Sequence, residues 1–222
     1  MYEIMNADEA IRLIRDGDCI CVNSFVGIEN PTELHEALYR RYQKMQSPTH
    51  LTIVSSAGFG VWDDEHNAEG YIREGAVDKL ICASNSNNVL TDFLRTGVYD
   101  RNRPFHTTMS PSMDILVSSN LERLLYLLSG DDKLIADLMK QLSENGEYEV
   151  PADMLEKLHE LFWAGFCDDE GAKTAIGKVW KDDHYLCDTH TAVAWDVAQQ
   201  YKQANPEHNA VVVLSTASPY KL

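Results

Sequence analysis

Short apolar runs alternate with amphipathic stretches along most of the chain. In the first third, the runs at residues 18–24 (DCICVNS) and 51–55 (LTIVS) are typical of buried strands. Apolar residues recur at helical spacing over Thr32–Met45, between the two runs. A capped helix is also predicted from Asn6 to Gly17. A strand–helix–strand unit of this kind predicts an α/β fold built from parallel-sheet segments with flanking helices.

A second strand–loop–helix unit begins in the middle of the chain. The apolar run at residues 80–83 (LICA) predicts a buried strand, Ser84 and Asn85 a turn, and Asn88 the start of a helix. Ligand sites in open α/β sheets commonly lie at such joints, where a strand ends and a helix begins. We therefore expect a binding site near Asn85.

The rest of the chain is predicted to be mainly helical, with one more strand. Residues 210–214 (AVVVL) are typical of a strand buried on both faces, and Ser215 and Thr216 begin the loop after it. His190 lies near the start of the last helix, where it either faces a cofactor or is hydrogen-bonded within the helix entry. The predicted helices cover residues 121–128, 131–142, 152–166, 169–180 and 189–204.

Composition narrows the partners that the chain can have. With 222 residues, 44% hydrophobic, it can bury a sizeable core, and its net charge of −16 argues against nucleic acid and anionic membranes as partners. No apolar run is long enough to span a bilayer and the start lacks a signal-peptide pattern, so a soluble cytoplasmic protein with a small-molecule substrate is expected. The five cysteines lack metal-ligand spacing and are interpreted as reduced core residues, so no metal site is predicted.

The first part of the chain resembles family I coenzyme A transferases. The resemblance lies in residues 16–31 (DGDCICVNSFVGIENP), 51–60 (LTIVSSAGFG) and 69–77 (EGYIREGAV). It implies a covalent mechanism in which a glutamate attacks the acyl-CoA. Glu144, in the string Ser-Glu-Asn-Gly, is the candidate for that glutamate, although the string is also typical of a polar helix end.

From Lys79 onward the chain resembles threonine synthase. The matching blocks follow one another in the order that the family has them, which makes the resemblance specific. They are residues 80–96 (LICASNSNNVLTDFLRT), 97–101 (GVYDR), 110–123 (SPSMDILVSSNLER), 188–194 (DTHTAVA) and 213–221 (VLSTASPYK).

This second resemblance implies a cofactor and the residues around it. By this resemblance, residues 79–222 correspond to the large domain of a fold type II pyridoxal-phosphate enzyme. Threonine synthase converts O-phosphohomoserine and water to threonine and phosphate. Thr216, with Ser215 as the near alternative, is implied to hydrogen-bond the cofactor's pyridine nitrogen, whereas the residues alone favour hydroxyls that satisfy backbone groups. Asn85 and Asp114 are implied to bind substrate.

The lysine that attaches the cofactor covalently in this family cannot be found upstream of the strand at residues 80–83. Lys221 is a poor substitute, because it follows the loop assigned to the pyridine nitrogen. No catalytic residue is therefore assigned, and we expect a partial threonine synthase that is inactive alone. The family pattern continues beyond Lys221, so a fragment or a non-catalytic fusion is one alternative and a coenzyme A transferase-related segment is the other.

The two resemblances together predict a domain boundary. Residues 1–78 are assigned to a coenzyme A transferase-like segment and residues 79–222 to a threonine synthase-like segment. Each segment is then expected to lack the strands against which its own sheet would pack. The strand at residues 210–214 is accordingly expected to have no neighbours, and self-association through unpaired sheet edges is predicted.

Overall fold

The computed structural model describes residues 5–22, 31–55, 76–206, 211–214 and 219. No helix in that part of the chain combines the length and apolarity needed to cross a membrane. The helices are α1 (Ala7–Ala10), α2 (Thr32–Met45), α3 (Val89–Thr96), α4 (Leu121–Ser129), α5 (Asp132–Asn145), α6 (Ala152–Leu161), α7 (Asp169–Asp183) and α8 (Thr189–Ala204), with 3₁₀ turns at Ile11–Leu13 and Pro111–Met113. The strands are β1 (Cys19–Val22), β2 (Leu51–Ser55), β3 (Val77–Ser84), β4 (Val98–Asp100), β5 (Glu147–Glu149), β6 (Phe162–Phe166) and β7 (Val211–Leu214).

The main sheet is parallel throughout and has the strand order β6–β3–β2–β1–β7. Helix α2 connects β1 to β2, and the pairing of those strands runs from Cys19 opposite Thr52 to Val22 opposite Ser55. Parallel neighbours need such crossover connections, and α2 supplies the one between β1 and β2. The predicted fold class, an α/β fold with a parallel sheet and flanking helices, is confirmed.

Strands from both predicted segments belong to this one sheet. β1 and β2 come from residues 1–78, whereas β6 and β7 come from residues 79–222. The expectation that residues 210–214 have no neighbours is wrong, because β7 pairs in parallel with β1, from Val211 opposite Cys19 to Leu214 opposite Val22. The early segment thus supplies the neighbouring strand that the late segment was expected to lack.

Alternate residues of the sheet face two different helical layers, as the twofold repeat of a strand requires. On one face, Cys19, Ile81 and Ala83 pack against α7 and α8. On the other face, Ile20 and Ile53 pack against α2, and further along the same face the sheet meets α3 and α6. Both faces are covered, which explains why the central strands are apolar at successive positions.

The predicted helix over residues 152–166 is wrong in its last five residues. Helix α6 ends at Leu161, and Phe162–Phe166 form strand β6, which pairs with β3 from Leu80 to Ser84. Gly165 explains how this strand fits. A Cβ there would lie 2.9 Å from side-chain carbons of Trp163 and Val197, so the glycine allows α8 to approach the sheet closely.

A small two-stranded antiparallel sheet, not predicted from the sequence, lies beside the main sheet. β4 and β5 pair antiparallel with Tyr99 opposite Tyr148. The two rings stack with centroids 5.2 Å apart, and Phe93 of α3 meets both edge-on at 5.8 and 5.9 Å. These aromatic contacts fix α3, and therefore the loop before it, to α4, α5 and α6 in one hydrophobic cluster.

Side chains cover backbone acceptors along β6, the strand at one end of the sheet order. Arg95 donates from Nε and Nη2 to the carbonyl oxygen of Ala164 at 3.1 and 2.9 Å. Gln200 donates to the carbonyl oxygen of Phe166 at 2.9 Å. Covered acceptors make a strand edge a poorer template for another chain. We propose that any self-association through sheet edges uses the β7 side rather than β6.

His35 of α2 makes the stability of the fold depend on pH. Its side chain is buried, and burial lowers its pKa to about 4, against about 6.5 in an unfolded chain. Between these values the unfolded chain binds a proton that the folded protein does not, so stability falls as the pH decreases from 6.5 through 4. We expect this histidine to cost about 3 kcal/mol of unfolding free energy between pH 7 and pH 4.

Denaturant titrations of the wild type and of His35→Leu at both pH values test this expectation. The other titrating groups are common to both proteins, so the difference between the two pH dependences isolates His35. The wild type is expected to lose more stability than the variant. Equal losses would mean that His35 keeps an ordinary pKa in the folded protein.

Candidate functional site

The parallel strands end together at one edge of the main sheet. Their last residues are Val22, Ser55, Ser84, Phe166 and Leu214. The joint predicted from the sequence lies at this carboxyl edge, because Asn85 directly follows Ser84 and α3 begins at Val89. The carboxyl edge of an open parallel sheet is the usual position for a ligand.

Asn85 is the centre of a buried polar network at this edge. Its side chain is 2% exposed. Its Oδ1 accepts the backbone N–H of Asn87 at 2.9 Å, which turns the chain from β3 toward α3. Its Nδ2 lies 2.7 Å from Asp114 Oδ1, 2.8 Å from Thr108 Oγ1 and 3.0 Å from Ser110 Oγ. The amide therefore joins the β3–α3 joint to a loop more than twenty residues later in the sequence.

Asp114 collects the donors of this network. Its Oδ1 accepts from Asn85 at 2.7 Å, from Asn87 Nδ2 at 3.0 Å and from Thr108 Oγ1 at 2.7 Å. Its Oδ2 accepts the backbone N–H of Thr108 at 3.0 Å. Hydrogen bonds to an ionised acceptor are stronger than neutral ones, so the carboxylate is the main attachment point of the loop. We define residues 106–114 as the crossing loop.

The crossing loop is also attached to the first turns of α7 and α8. Asp169 Oδ1 accepts the backbone N–H of Met109 at 3.2 Å, and His190 Nε2 accepts that of Ser112 at 3.3 Å. On the other side, His106 exchanges backbone hydrogen bonds with the Asn87 side chain at 2.8 and 2.9 Å. The crossing loop is thus hydrogen-bonded to three parts of the protein at this edge: α7, α8 and the β3–α3 joint.

Asp188 and His190 form a second polar pair at the start of α8. Asp188 is 5% exposed and caps the helix by accepting the N–H groups of His190 and Thr191. Its Oδ1 lies 3.2 Å from His190 Nδ1, and its Oδ2 accepts the Thr191 hydroxyl. Burial acts to raise the pKa of Asp188, but the hydrogen bonds from His190 and Thr191 outweigh it and hold the pKa below its usual range. The helix-entry interpretation of His190 agrees with this geometry.

The structure brings together two of the predicted site residues and leaves two outside its description. Asn85 and Asp114, predicted to bind substrate, are in direct contact. Thr216 and Ser215, predicted to bind the cofactor, lie outside the described residues. Glu144 is exposed in the last turn of α5, and Gly146 with φ 79° follows the end of the helix at Asn145, as a polar helix end predicts.

Sequence reasoning missed three members of the network, and one signal was available for each. Asn87, Thr108 and Ser110 are polar, yet Asn87 and Ser110 are 3% and 1% exposed. Asn87 stands two residues after the predicted turn at Ser84 and Asn85, whereas Thr108 and Ser110 lie just before Pro111. Buried polar groups require hydrogen-bond partners, so these clustered polar residues were the signal for contact between the two parts of the chain.

Among the described residues, no lysine takes part in the Asn85 network. Lys79, near the start of β3, donates to the carbonyl oxygens of His159 and Glu160, each at 2.9 Å, at the opposite edge of the sheet. Covalent attachment of an aldehyde cofactor requires a desolvated lysine amine at the site. The Asn85 network as described therefore offers no lysine for covalent attachment.

The four cysteines whose side chains are described are free thiols: Cys19, Cys82, Cys167 and Cys187. Burial raises the pKa of Cys82 and Cys187 to about 11 and that of Cys19 to about 12. Thiols with such pKa values are protonated at neutral pH and are weak nucleophiles. These residues act as packing groups, as predicted.

Comparison with known proteins supports both resemblances seen in the sequence. Residues 4–98 match the family model described as Coenzyme A transferase. Threonine synthase-like 1 of Macaca fascicularis is 42% identical over 143 residues, which is 64% of this chain and 19% of that protein. Threonine synthase of Saccharomyces cerevisiae is 33% identical over 160 residues, which is 65% of this chain and 31% of that protein. Both predicted resemblances are confirmed, and the chain contains a threonine synthase-like region.

A solved structure extends the likeness over nearly the whole chain. The structure of pyridoxal-phosphate-bound threonine synthase from Brucella melitensis superposes with a TM-score of 0.62 at 21% identity, covering 96% of this chain and 63% of that one. At this identity the likeness shows the fold, which is that of the fold type II enzymes. The chain spans about a fifth of the threonine synthase-like relatives and under two thirds of the solved structure. The coenzyme A transferase match runs to residue 98, past the boundary predicted at residue 78, which stays a prediction.

Proposed function

We propose that this chain carries one wall of a pyridoxal-phosphate site of the threonine synthase type, without the lysine that would hold the cofactor covalently. The observation behind this proposal is the Asn85–Asp114 network, which lies at the carboxyl edge of a parallel sheet that has the threonine synthase fold. Thr216 and Ser215 are proposed to contact the cofactor's pyridine nitrogen. Bound pyridoxal phosphate supplies an electron sink for amino-acid chemistry.

The roles of the described residues follow from their contacts. Asn85 and Asn87 hold the crossing loop against the β3–α3 joint, and Asp114 keeps a half-buried carboxylate at the same edge. A carboxylate among amide and hydroxyl groups suits the ammonium or hydroxyl group of an amino-acid substrate better than its phosphate, because like charges repel. We propose that this wall binds the amino-acid end of the substrate and performs no chemistry by itself.

The test is cofactor binding followed by reduction. Purified protein is titrated with pyridoxal phosphate and monitored by absorbance and fluorescence, and a parallel sample is treated with borohydride and mapped by peptide mass. Saturable binding without one stoichiometrically modified lysine is the expected result. Thr216→Val is expected to weaken binding about tenfold, the effect of one hydrogen bond.

Thr174→Val is the matched control, because it makes the same change at an exposed position of α7, outside the crossing loop and the network. Its affinity is expected to equal that of the wild type. Absence of saturable binding would overturn the proposed cofactor. Stoichiometric modification at Lys221, lost in Lys221→Arg, would overturn the absence of a covalent attachment.

A second candidate function rests on the family match over residues 4–98. If the chain is a coenzyme A transferase-related protein, an acyl or coenzyme A adduct should form on a glutamate, with Glu144 as the candidate from sequence. Intact mass after incubation with acyl-CoA tests this function. An unchanged mass removes it, and an adduct that persists in Glu144→Gln removes the assignment of Glu144.

A further inference from the structure

We infer that Asp188 and His190 act as a positioning pair for the Asn85–Asp114 site, an inference that rests on the proposed function of that site. The pair lies on the first turn of α8, outside the network itself, and it reaches the crossing loop through the backbone of Ser112.

The contacts of His190 determine which ring nitrogen carries the proton. Nε2 faces the backbone N–H of Ser112 at 3.3 Å, and an N–H can only donate, so Nε2 must be the acceptor. The ring proton is then on Nδ1, which faces the Asp188 carboxylate at 3.2 Å. A carboxylate that receives a ring N–H fixes both the tautomer and the orientation of an imidazole.

The same geometry excludes a different use of the three residues. A serine, a histidine and an aspartate in contact suggest nucleophilic catalysis, in which Nε2 takes a proton from the serine hydroxyl. Here the Nε2 lone pair is occupied by the backbone amide of Ser112 rather than by its hydroxyl. The pair therefore positions backbone and does not activate a nucleophile.

The position of Ser112 connects this contact to the site. Ser112 is the middle residue of the 3₁₀ turn Pro111–Met113, and Asp114 follows that turn directly, with its N–H bonded to the Pro111 carbonyl. Asp114 in turn accepts from Asn85, Asn87 and Thr108. Moving Ser112 would shift the Asp114 carboxylate relative to these donors. His190 is 13% exposed and Asp188 5%, so the pair is held firmly enough to position the turn.

Two substitutions of His190 separate its two contacts. His190→Gln places an amide oxygen where Nε2 accepted, and so keeps an acceptor for Ser112, whereas His190→Asn keeps a group near Asp188 but is too short to reach Ser112. His50→Asn is the matched control, because His50 forms an exposed pair with Asp78 at 2.9 Å before β2, at the opposite edge of the sheet.

The readout is hydrogen exchange at the backbone amides of Ser112 and Thr108, with ¹⁵N chemical shifts reporting the His190 tautomer. We expect the Nδ1–H tautomer in the wild type. We expect exchange at both amides to be about tenfold faster in His190→Asn. His190→Gln is expected to restore most of the protection, and His50→Asn to leave both rates unchanged.

Different results would overturn the positioning role and the proposed function. An Nε2-protonated tautomer, or His190→Asn that leaves either amide unchanged, would overturn the positioning role even if pyridoxal phosphate binds. If His190→Asn loses protection but the wild type shows no cofactor binding, positioning is supported and the proposed function is overturned instead. If the cofactor binds, His190→Asn is expected to lower the affinity for pyridoxal phosphate severalfold, and His190→Gln to lower it less.

Discussion

Replacing Ile53 by alanine is expected to lower the free energy of unfolding by about 4 kcal/mol. Ile53 lies in β2, between β1 and β3, and its side chain is 0% exposed in the cluster formed by α2 and the sheet. Removing three carbon atoms there leaves a cavity that neighbouring strands cannot close without breaking their register. Urea denaturation monitored by circular dichroism measures the change.

Ile115→Ala serves as the control for this prediction. Ile115 is 39% exposed and follows the crossing loop, so its replacement is expected to change stability by less than about 0.5 kcal/mol. If Ile53→Ala were as mild as the control, β2 would not be part of the folded core.

Replacing Asp114 by alanine is expected to cost about 4 kcal/mol and to loosen the crossing loop. The substitution removes the shared acceptor of Asn85, Asn87 and Thr108, and the first two side chains are almost fully buried. Buried donors that lose a charged acceptor are left without a hydrogen bond, and their desolvation then lowers the free energy of unfolding. Denaturant titration gives the stability change, and amide exchange at Thr108 reports the loop.

Two further variants make the Asp114 prediction specific. Asp114→Asn keeps one acceptor oxygen and is expected to cost about 2 kcal/mol. Asp137→Ala removes an exposed carboxylate on α5 and is expected to change stability by less than about 0.5 kcal/mol. A cost for Asp114→Ala equal to that of Asp137→Ala would mean that the network does not hold the loop in solution.

Periodicity predicted the elements whose patterns are long and local. The helices around Leu38 and Val197 have many turns and begin after Pro31 and the capping residue Asp188, and β1 and β2 lie between strong turn signals. Strand β6 was missed because Leu155, Leu158 and Phe162 continue a helical spacing into the run Phe162–Phe166. Pairing with β3, which no local pattern reveals, makes that run a strand.

The neighbours of β7 could not be predicted for a similar reason. Sequence resemblance divided the chain at residue 78 and implied that each part lacked its partners. Strand pairing depends on which apolar edges meet in space, and β1 fits the edge of β7 over four residues although the two resemble different families.

The sequence predicted where the site lies but not which residues touch each other there. The strand–loop–helix joint placed Asn85 at the carboxyl edge, whereas its contact with Asp114 depends on a crossing loop that has no regular pattern. The polar residues Asn87 and Ser110 gave only a weak signal, because their burial is visible only in the structure.

Both segments contribute strands to one sheet, and the Asn85–Asp114 network lies at its carboxyl edge. Hydrogen exchange measured by mass spectrometry at increasing urea tests the shared sheet most directly, with peptides covering β1 and β2 compared with peptides covering β3 and β6. If the sheet is shared, all four strands lose protection at the same urea concentration. Loss of protection in β1 and β2 at a lower urea concentration, while β3 and β6 stay protected, would contradict a shared sheet. The two segments would then unfold independently.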